Sequence, residues 1–183
     1  MLSKKESILL WGSNIWYLST GMLGPLFAVF TQRVGGNILD ITTAWSAYLI
    51  VMGVGIMAAG KIVDRFPSKK LHFLLTGYAI NTAFVFGYLF VSSPFELLLV
   101  QIGFGLGNTL STPSWSALYD EHSADAHDGF TWGSASGQAA IASGIAMSIG
   151  GFIVAEYSFE MLFVTMGVLQ LAALFYTARL FRA

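Results

Sequence analysis

No cysteine occurs anywhere in the 183 residues. Disulfides and thiol chemistry are therefore excluded, and the redox compartment leaves no mark on the chain. Charge is the second scarcity. Asp, Glu, Lys and Arg together make up 10% of the residues, against about 25% in ordinary soluble domains. The formal net charge is -1 and no basic face stands out, which excludes nucleic acid as a partner. Scarcer still is charge inside the long apolar stretches, where no Asp, Glu, Lys or Arg lies deep. A charge at a bilayer centre costs at least about 2.5–3.5 kcal/mol and is usually functional where it is kept. Its absence leaves no obvious buried carboxylate to carry a proton.

What fills the chain instead is apolar. Hydrophobic residues make up 55% of it and the mean hydropathy is +0.68, the composition of a chain whose solvent is largely lipid. About 20 apolar residues carry a helix across the hydrocarbon core. Six such segments are expected, at Ile8–Phe30, Thr42–Ile62, Leu71–Val91, Phe95–Ala117, Phe130–Val154 and Phe159–Leu180. Helices satisfy their own backbone in lipid, and no ten-residue alternation of the barrel kind is present. The two lysines before the first segment resemble a signal peptide. The segment runs past 20 residues without a small-residue cleavage site, so it reads as an uncleaved first span. The fold class expected is an all-α membrane protein, one domain over residues 1–183.

The joints between segments alternate in charge. Lys4, Lys5, Lys61, Arg65, Lys69, Lys70, Arg179 and Arg182 fall on one side, and Arg33 alone on the other. The basic side is cytoplasmic by the positive-inside rule, which places both termini there in a plasma (inner) membrane. One joint on that side is acidic, Asp120-Glu-His-Ser-Ala-Asp-Ala-His-Asp128. Asp120, His122, Asp125 and His127 have the donor types of a metal site. A solvated acidic loop is the preferred reading, with no metal and no cofactor.

The first segment contains Leu18-Ser-Thr-Gly21 followed by Gly24-Pro25, and the fourth contains Leu110-Ser-Thr-Pro113. Small residues and proline thus interrupt the opening segment of each half. This suggests a 3+3 repeat of inverted topology, as in many secondary transporters. Between the second and third segments lies Gly60-Lys-Ile-Val-Asp64-Arg65-Phe-Pro-Ser-Lys69-Lys70, with five of the chain's charged residues. It resembles the Gly-x-Leu-Ala-Asp-Arg-x-Gly-Arg-Lys signature of the major facilitator superfamily. Gly60, Asp64, Arg65 and Lys69 match; Pro67 and Ser68 depart. Gly24-Pro25 and Gln101-Ile-Gly-Phe-Gly-Leu-Gly107 resemble that family's first and fourth helices, with Gln101 where an arginine is usual. Ala142 to Gly151 faintly resembles its fifth-helix motif without the proline.

The resemblance covers the whole chain but half of the family's twelve-helix fold. It implies a gate on the cytoplasmic face made by Gly60, Asp64, Arg65, Lys69 and Asp120. The family's matching aspartate meets the N-terminal end of a helix in the other half. Here that partner is sought on a second molecule, near Gly129 of its fifth span. A homodimer is favoured, then a separate second half, then a piece of a longer chain. Arg65 and Lys69 are expected to pair with Asp120 or Glu121, whereas Lys61 and Lys70 read as plain topogenic charges.

Helical spacing supplies the cavity candidates: Asn14 and Tyr17 on the first span, Trp45 and Tyr48 on the second, Gln101, Asn108, Ser111 and Trp115 on the fourth, and Gln138 on the fifth. Amides need hydrogen-bond partners away from water, so Asn14, Asn108 and Gln138 either face a solute or bond helix to helix. Trp11 and Trp16 read as interfacial anchors. Small residues at Gly53 on the second span and Gly133, Gly137 and Gly144 on the fifth suit close helix approach between two copies. Ser134-Ala-Ser136-Gly137 resembles an intramembrane serine protease site, but no histidine faces it to act as base, and no enzyme is expected. The function expected is alternating-access transport of a small neutral or amphipathic solute, with the coupling ion left open. The alternatives are a non-transporting scaffold or regulatory subunit and one half of a hetero-dimer.

Overall fold

The structure is a computed structural model that describes residues 3–123 and 128–183, and within them no strand occurs. Seven α-helices are described: α1 Lys4–Gly21, α2 Leu26–Arg33, α3 Ile38–Arg65, α4 Lys70–Gly87, α5 Pro94–His122, α6 Asp128–Glu156 and α7 Phe159–Thr177. Short 3-10 turns follow at Pro67–Lys69, Tyr88–Phe90 and Ala178–Arg182.

Local chemistry sets the helix starts. The first N–H groups of a helix lack intrahelical acceptors, and a short polar side chain supplies one. Ser3 accepts from the Glu6 N–H at 3.1 Å while the Glu6 carboxylate accepts from the Ser3 N–H at 3.2 Å. Asn37 with Asp40 and Ser93 with Glu96 form the same reciprocal box. Pro94 takes the first position of α5, where its missing N–H leaves nothing unsatisfied. These caps set the starts of α3 and α5, and both helices run beyond the expected spans at both ends.

The two segments marked by the Leu-Ser-Thr repeat behave differently. The first is interrupted: α1 stops at Gly21 and α2 begins at Leu26. The fourth is not, since α5 continues through Pro113. Four helical stretches, Ile38–Arg65, Pro67–Phe90, Gly129–Glu156 and Phe159–Arg182, are long and apolar enough to cross a membrane. The first and fourth expected spans fall short of that measure. α1 starts on Lys4, Lys5 and Glu6, ahead of the expected span, and α5 is rich in Gly, Ser and Asn along the side it buries.

Packing follows a simple scheme. α5 lies against both α3 and α4, α1 lies against both α6 and α7, and α4 meets α7. Glycine permits each crossing, because a Cβ there would collide with the neighbouring helix. At Gly77 it would lie 2.6 Å from the Gly107 carbonyl and from the Ser111 amide, and at Gly21 2.8 Å from Ser143 Cα. Two apolar clusters result. One gathers Phe30, Tyr88, Leu97 and Phe163, and the other Leu9, Leu74, Leu118 and Tyr119.

The helix ends that carry most of the basic residues come together. Ser3 Oγ donates to the His122 carbonyl, Lys70 Nζ sits 2.9 Å from Glu121, and the His72 ring meets Phe181. At the opposite end Arg33 pairs with Glu160 at 3.2 Å. The outward faces of α3 and α6 are apolar and uncovered, with Ile50, Val54, Met57, Ile141, Ile145 and Phe152 all more than half exposed.

Candidate functional site

A cavity of about 390 Å³ lies among α1, α3, α4, α5 and α6. Helical periodicity builds its walls. Ser13, Trp16, Tyr17 and Thr20 share one face of α1, and Phe104, Asn108, Ser111, Thr112, Trp115 and Ser116 one face of α5. Tyr48 and Met52 come from α3, Tyr78 from α4, and Trp132, Ala135, Ser136 and Ala139 from α6. None of these is charged. The two helices that contribute most, α1 and α5, are those whose hydropathy falls below the membrane-spanning measure. Ser13 and Thr20 of α1 and Asn108, Ser111, Thr112 and Ser116 of α5 are turned toward the cavity.

Hydrogen bonding gives the cavity its character. Asn108 Nδ2 donates to Tyr48 Oη at 3.3 Å, and Asn81 Nδ2 donates to Asn108 Oδ1 at 3.2 Å. This chain links α3, α5 and α4 and holds the Asn108 amide in one orientation. Ser13, Thr20 and Ser111 donate their hydroxyl protons to carbonyls of their own helices, at 2.9, 3.2 and 3.2 Å. Their lone pairs remain available, so these hydroxyls present acceptors to a ligand.

Aromatic rings supply the rest. Trp16 and Tyr78 stack at 4.1 Å with planes 9° apart. Toward the basic end, Trp115 stacks on Tyr119 at 4.8 Å and Trp132 meets both edge-on. The Trp115 indole N–H donates to the Leu9 carbonyl at 3.4 Å and the Tyr119 hydroxyl to the Thr131 carbonyl at 3.1 Å. These bonds tie α5 to α1 and α6 and close that end of the cavity with a cross-braced aromatic layer.

Of the residues expected at a cavity, Tyr17, Tyr48, Asn108, Ser111 and Trp115 line this one, and Asn14, Trp45, Gln101 and Gln138 stand outside the lining. Asn14 Nδ2 donates to Gln138 Oε1 at 2.8 Å, and Gln138 Nε2 to Ser134 Oγ at 3.1 Å. These amides bond α1 to α6. Trp45 sits one ring away, 5.6 Å from Tyr48. Gln101 is buried on α5, but seven residues carry it about 10 Å along the axis from Asn108. Trp16 corrects an expectation: it is 7% exposed and walls the cavity, so it is no interfacial anchor. Trp11, at 60% exposed, does face outward. Asn81, Tyr78 and Trp132 carried no expectation. The run Ser13, Trp16, Tyr17, Thr20, spaced three and four apart, was the legible signal for α1.

Asp64, Arg65, Lys69 and Asp120, expected at a gate, are exposed, and none forms an ion pair among the described residues. Gly60 meets nothing within 4 Å of a built Cβ. The link between the α3–α4 joint and the acidic end of α5 is made instead by Lys70 to Glu121, which corrects the reading of Lys70 as a plain topogenic charge. The hydrogen bond from Lys70 holds the Glu121 carboxyl below the usual carboxylate range. Arg65 and Lys69 lie over the Phe66 ring, at 5.9 and 5.5 Å. Phe66 precedes Pro67 in the turn between α3 and α4. Asp125 and His127 lie outside the described residues, and no metal-binding cluster occurs within them.

Two groups of glycines stand out. Gly12, Gly21, Gly55, Gly77, Gly103, Gly105, Gly107, Gly150 and Gly167 are occupied by internal helix crossings. Gly53, Gly133, Gly137 and Gly144 meet nothing, and all four lie on α3 or α6.

Comparison with known proteins fits this framework. A family model described as Major Facilitator Superfamily matches residues 9–183. An uncharacterized MFS-type transporter of Methanocaldococcus jannaschii is 24% identical over 159 residues, covering 85% of this chain. The chain spans 40% of that relative's length. A match running through every helix from α1 to α7, on a charge-poor helical framework, places this multi-pass membrane protein in the Major Facilitator Superfamily.

Proposed function

We propose that the chain is one six-span unit of an alternating-access transporter, and that two copies in parallel complete it. The observation that carries the reading is the cavity: uncharged, aromatic, and furnished with hydroxyl and amide acceptors. Such a site suits a small neutral or amphipathic solute that brings hydrogen-bond donors and an apolar body. Solute would sit near the midplane against α1 and α5 of both copies, in the plasma membrane.

The six spans are α1 with α2, then α3, α4, α5, α6 and α7, forming one domain. An inverted 3+3 repeat is supported by the packing scheme. Exchanging the first three spans for the last three turns the α1–α6 pair into α5–α3 and the α1–α7 pair into α5–α4. The α4–α7 contact maps onto itself. The second unit docks through α3 and α6, where apolar faces and open glycines are uncovered. In that arrangement Asp64 meets the partner's α6 at its N-terminal end, where a carboxylate is favoured by about 0.3–1 kcal/mol. That magnitude biases two states without locking either.

The test is flux in proteoliposomes across a panel of neutral and amphipathic solutes, with and without a proton gradient. Wild type should move a subset of the panel, and Asn108→Ala and Asp64→Asn should lose that flux while still assembling. Unchanged flux in both variants, or none in well-folded wild type, would favour a scaffold.

A further inference from the structure

We infer that the cleft between the start of α1 and the end of α7 is a binding site for an anionic phospholipid headgroup. It is separate from the central cavity and opens where the basic helix ends meet. Lys4, Arg179 and Arg182 line it, together with the hydroxyls of Ser3 and Ser7 and the ring of Tyr176. No acidic residue is in the lining. The neighbouring acid, Glu6, is 6% exposed and turned back onto the Ser3 amide. None of the three cations is in an ion pair among the described residues. The Arg179 guanidinium lies 5.2 Å from the Tyr176 ring centroid, which holds it at the rim.

Three unpaired cations beside the Ser7 hydroxyl match a phosphodiester, which takes charge and hydrogen bonds together; the Ser3 proton is already given to the His122 carbonyl. The surroundings select a lipid over a free anion. Along the same two helices, deeper than the cations, Trp11 is 60% exposed and Phe175 is 68% exposed. Trp11 lies seven residues beyond Lys4 and Phe175 four before Arg179. That places aromatic surface about 6–10 Å below the charges, where acyl chains begin. Basic pockets between spans on the cytoplasmic side attract anionic headgroups, by a few-fold per cation.

The test gives purified protein in neutral detergent equimolar phosphatidylglycerol and phosphatidylcholine with identical chains. Bound lipid is counted by native mass spectrometry. Wild type should retain phosphatidylglycerol on the order of tenfold over phosphatidylcholine. The variant Lys4→Gln/Arg179→Gln/Arg182→Gln should bind the two about equally. It keeps Lys5, Lys61, Arg65, Lys69 and Lys70 to hold its orientation. The control Lys61→Gln/Lys69→Gln should keep the preference, as should Arg179→Lys/Arg182→Lys. If the triple variant does not fold, Lys4→Gln and Arg182→Gln singly should each lower the ratio. Equal binding by wild type, or a preference that survives these removals, overturns the site. Displacement of the lipid by excess inorganic phosphate would make the occupant a free anion and overturn the lipid assignment.

Discussion

Asn108 receives a hydrogen bond from Asn81 and gives one to Tyr48, and it lines the cavity. Its amide is therefore fixed by the protein before any solute arrives, which removes an ordering cost from binding. Asn108→Ala leaves Asn81 without that acceptor and removes a polar group from the wall. Losing a buried hydrogen bond of this kind costs about 1–3 kcal/mol. The expected outcome is a ten- to hundredfold loss of flux at subsaturating solute, read as a raised KM of transport, with an unchanged elution profile in detergent. Lys70 and Glu121 support a different expectation. The carboxyl of Glu121 is lowered in the folded chain, so the pair stabilises the fold above the ordinary carboxylate pKa and is lost as pH falls through the lowered value. Both groups reach solvent, so the gain is small, about 0–1 kcal/mol. Thermal melts of wild type and Glu121→Gln should differ slightly at neutral pH and converge below the carboxylate range.

α3 and α6 divide their glycines between internal crossings and uncovered faces, and the two kinds answer differently to substitution. At Gly77 an added side chain meets backbone atoms of α5 at 2.6 Å, and backbone cannot swing aside. Gly77→Leu should lower unfolding stability by about 1–3 kcal/mol or more, as overpacking does, measured by denaturation in detergent. Gly137 faces open space, so Gly137→Leu should leave the stability of the isolated unit unchanged and weaken association of two units. At this scale the helices were legible in the chain because apolar length is a local property. The side of each helix that faces a cavity was only half legible. On α5 the seven-residue step joined Gln101, Asn108 and Trp115, yet it runs along the axis past the cavity's end. Trp16 was misread because an indole suits a membrane interface and a buried ring stack equally. Nothing local distinguishes the two until Tyr78, from another helix, is in place. Likewise the near-identical Leu-Ser-Thr runs gave one broken helix and one continuous one. The first adds Gly24 and Pro25 within one turn, whereas Pro113 stands alone.

The whole molecule presents a walled cavity and, beside it, two apolar faces with unfilled glycines. Family membership concerns the fold and the transport class, while the second unit is inferred from those faces. The central claim is that two copies meet through α3 and α6. The chain's lack of cysteine makes this directly measurable. Gly53 lies twelve residues before Arg65 at the end of α3 and Gly137 nine after Asp128 at the start of α6, so their depths differ by about three residues, or about 5 Å. With Gly53→Cys/Gly137→Cys in liposomes at low protein density, mild oxidation should give a band at twice the chain's 19.8 kDa, while a pair placed on α7 at Val168 and Leu171 should give none. A chain that stays monomeric under the same oxidation, in active and well-folded preparations, would contradict the account.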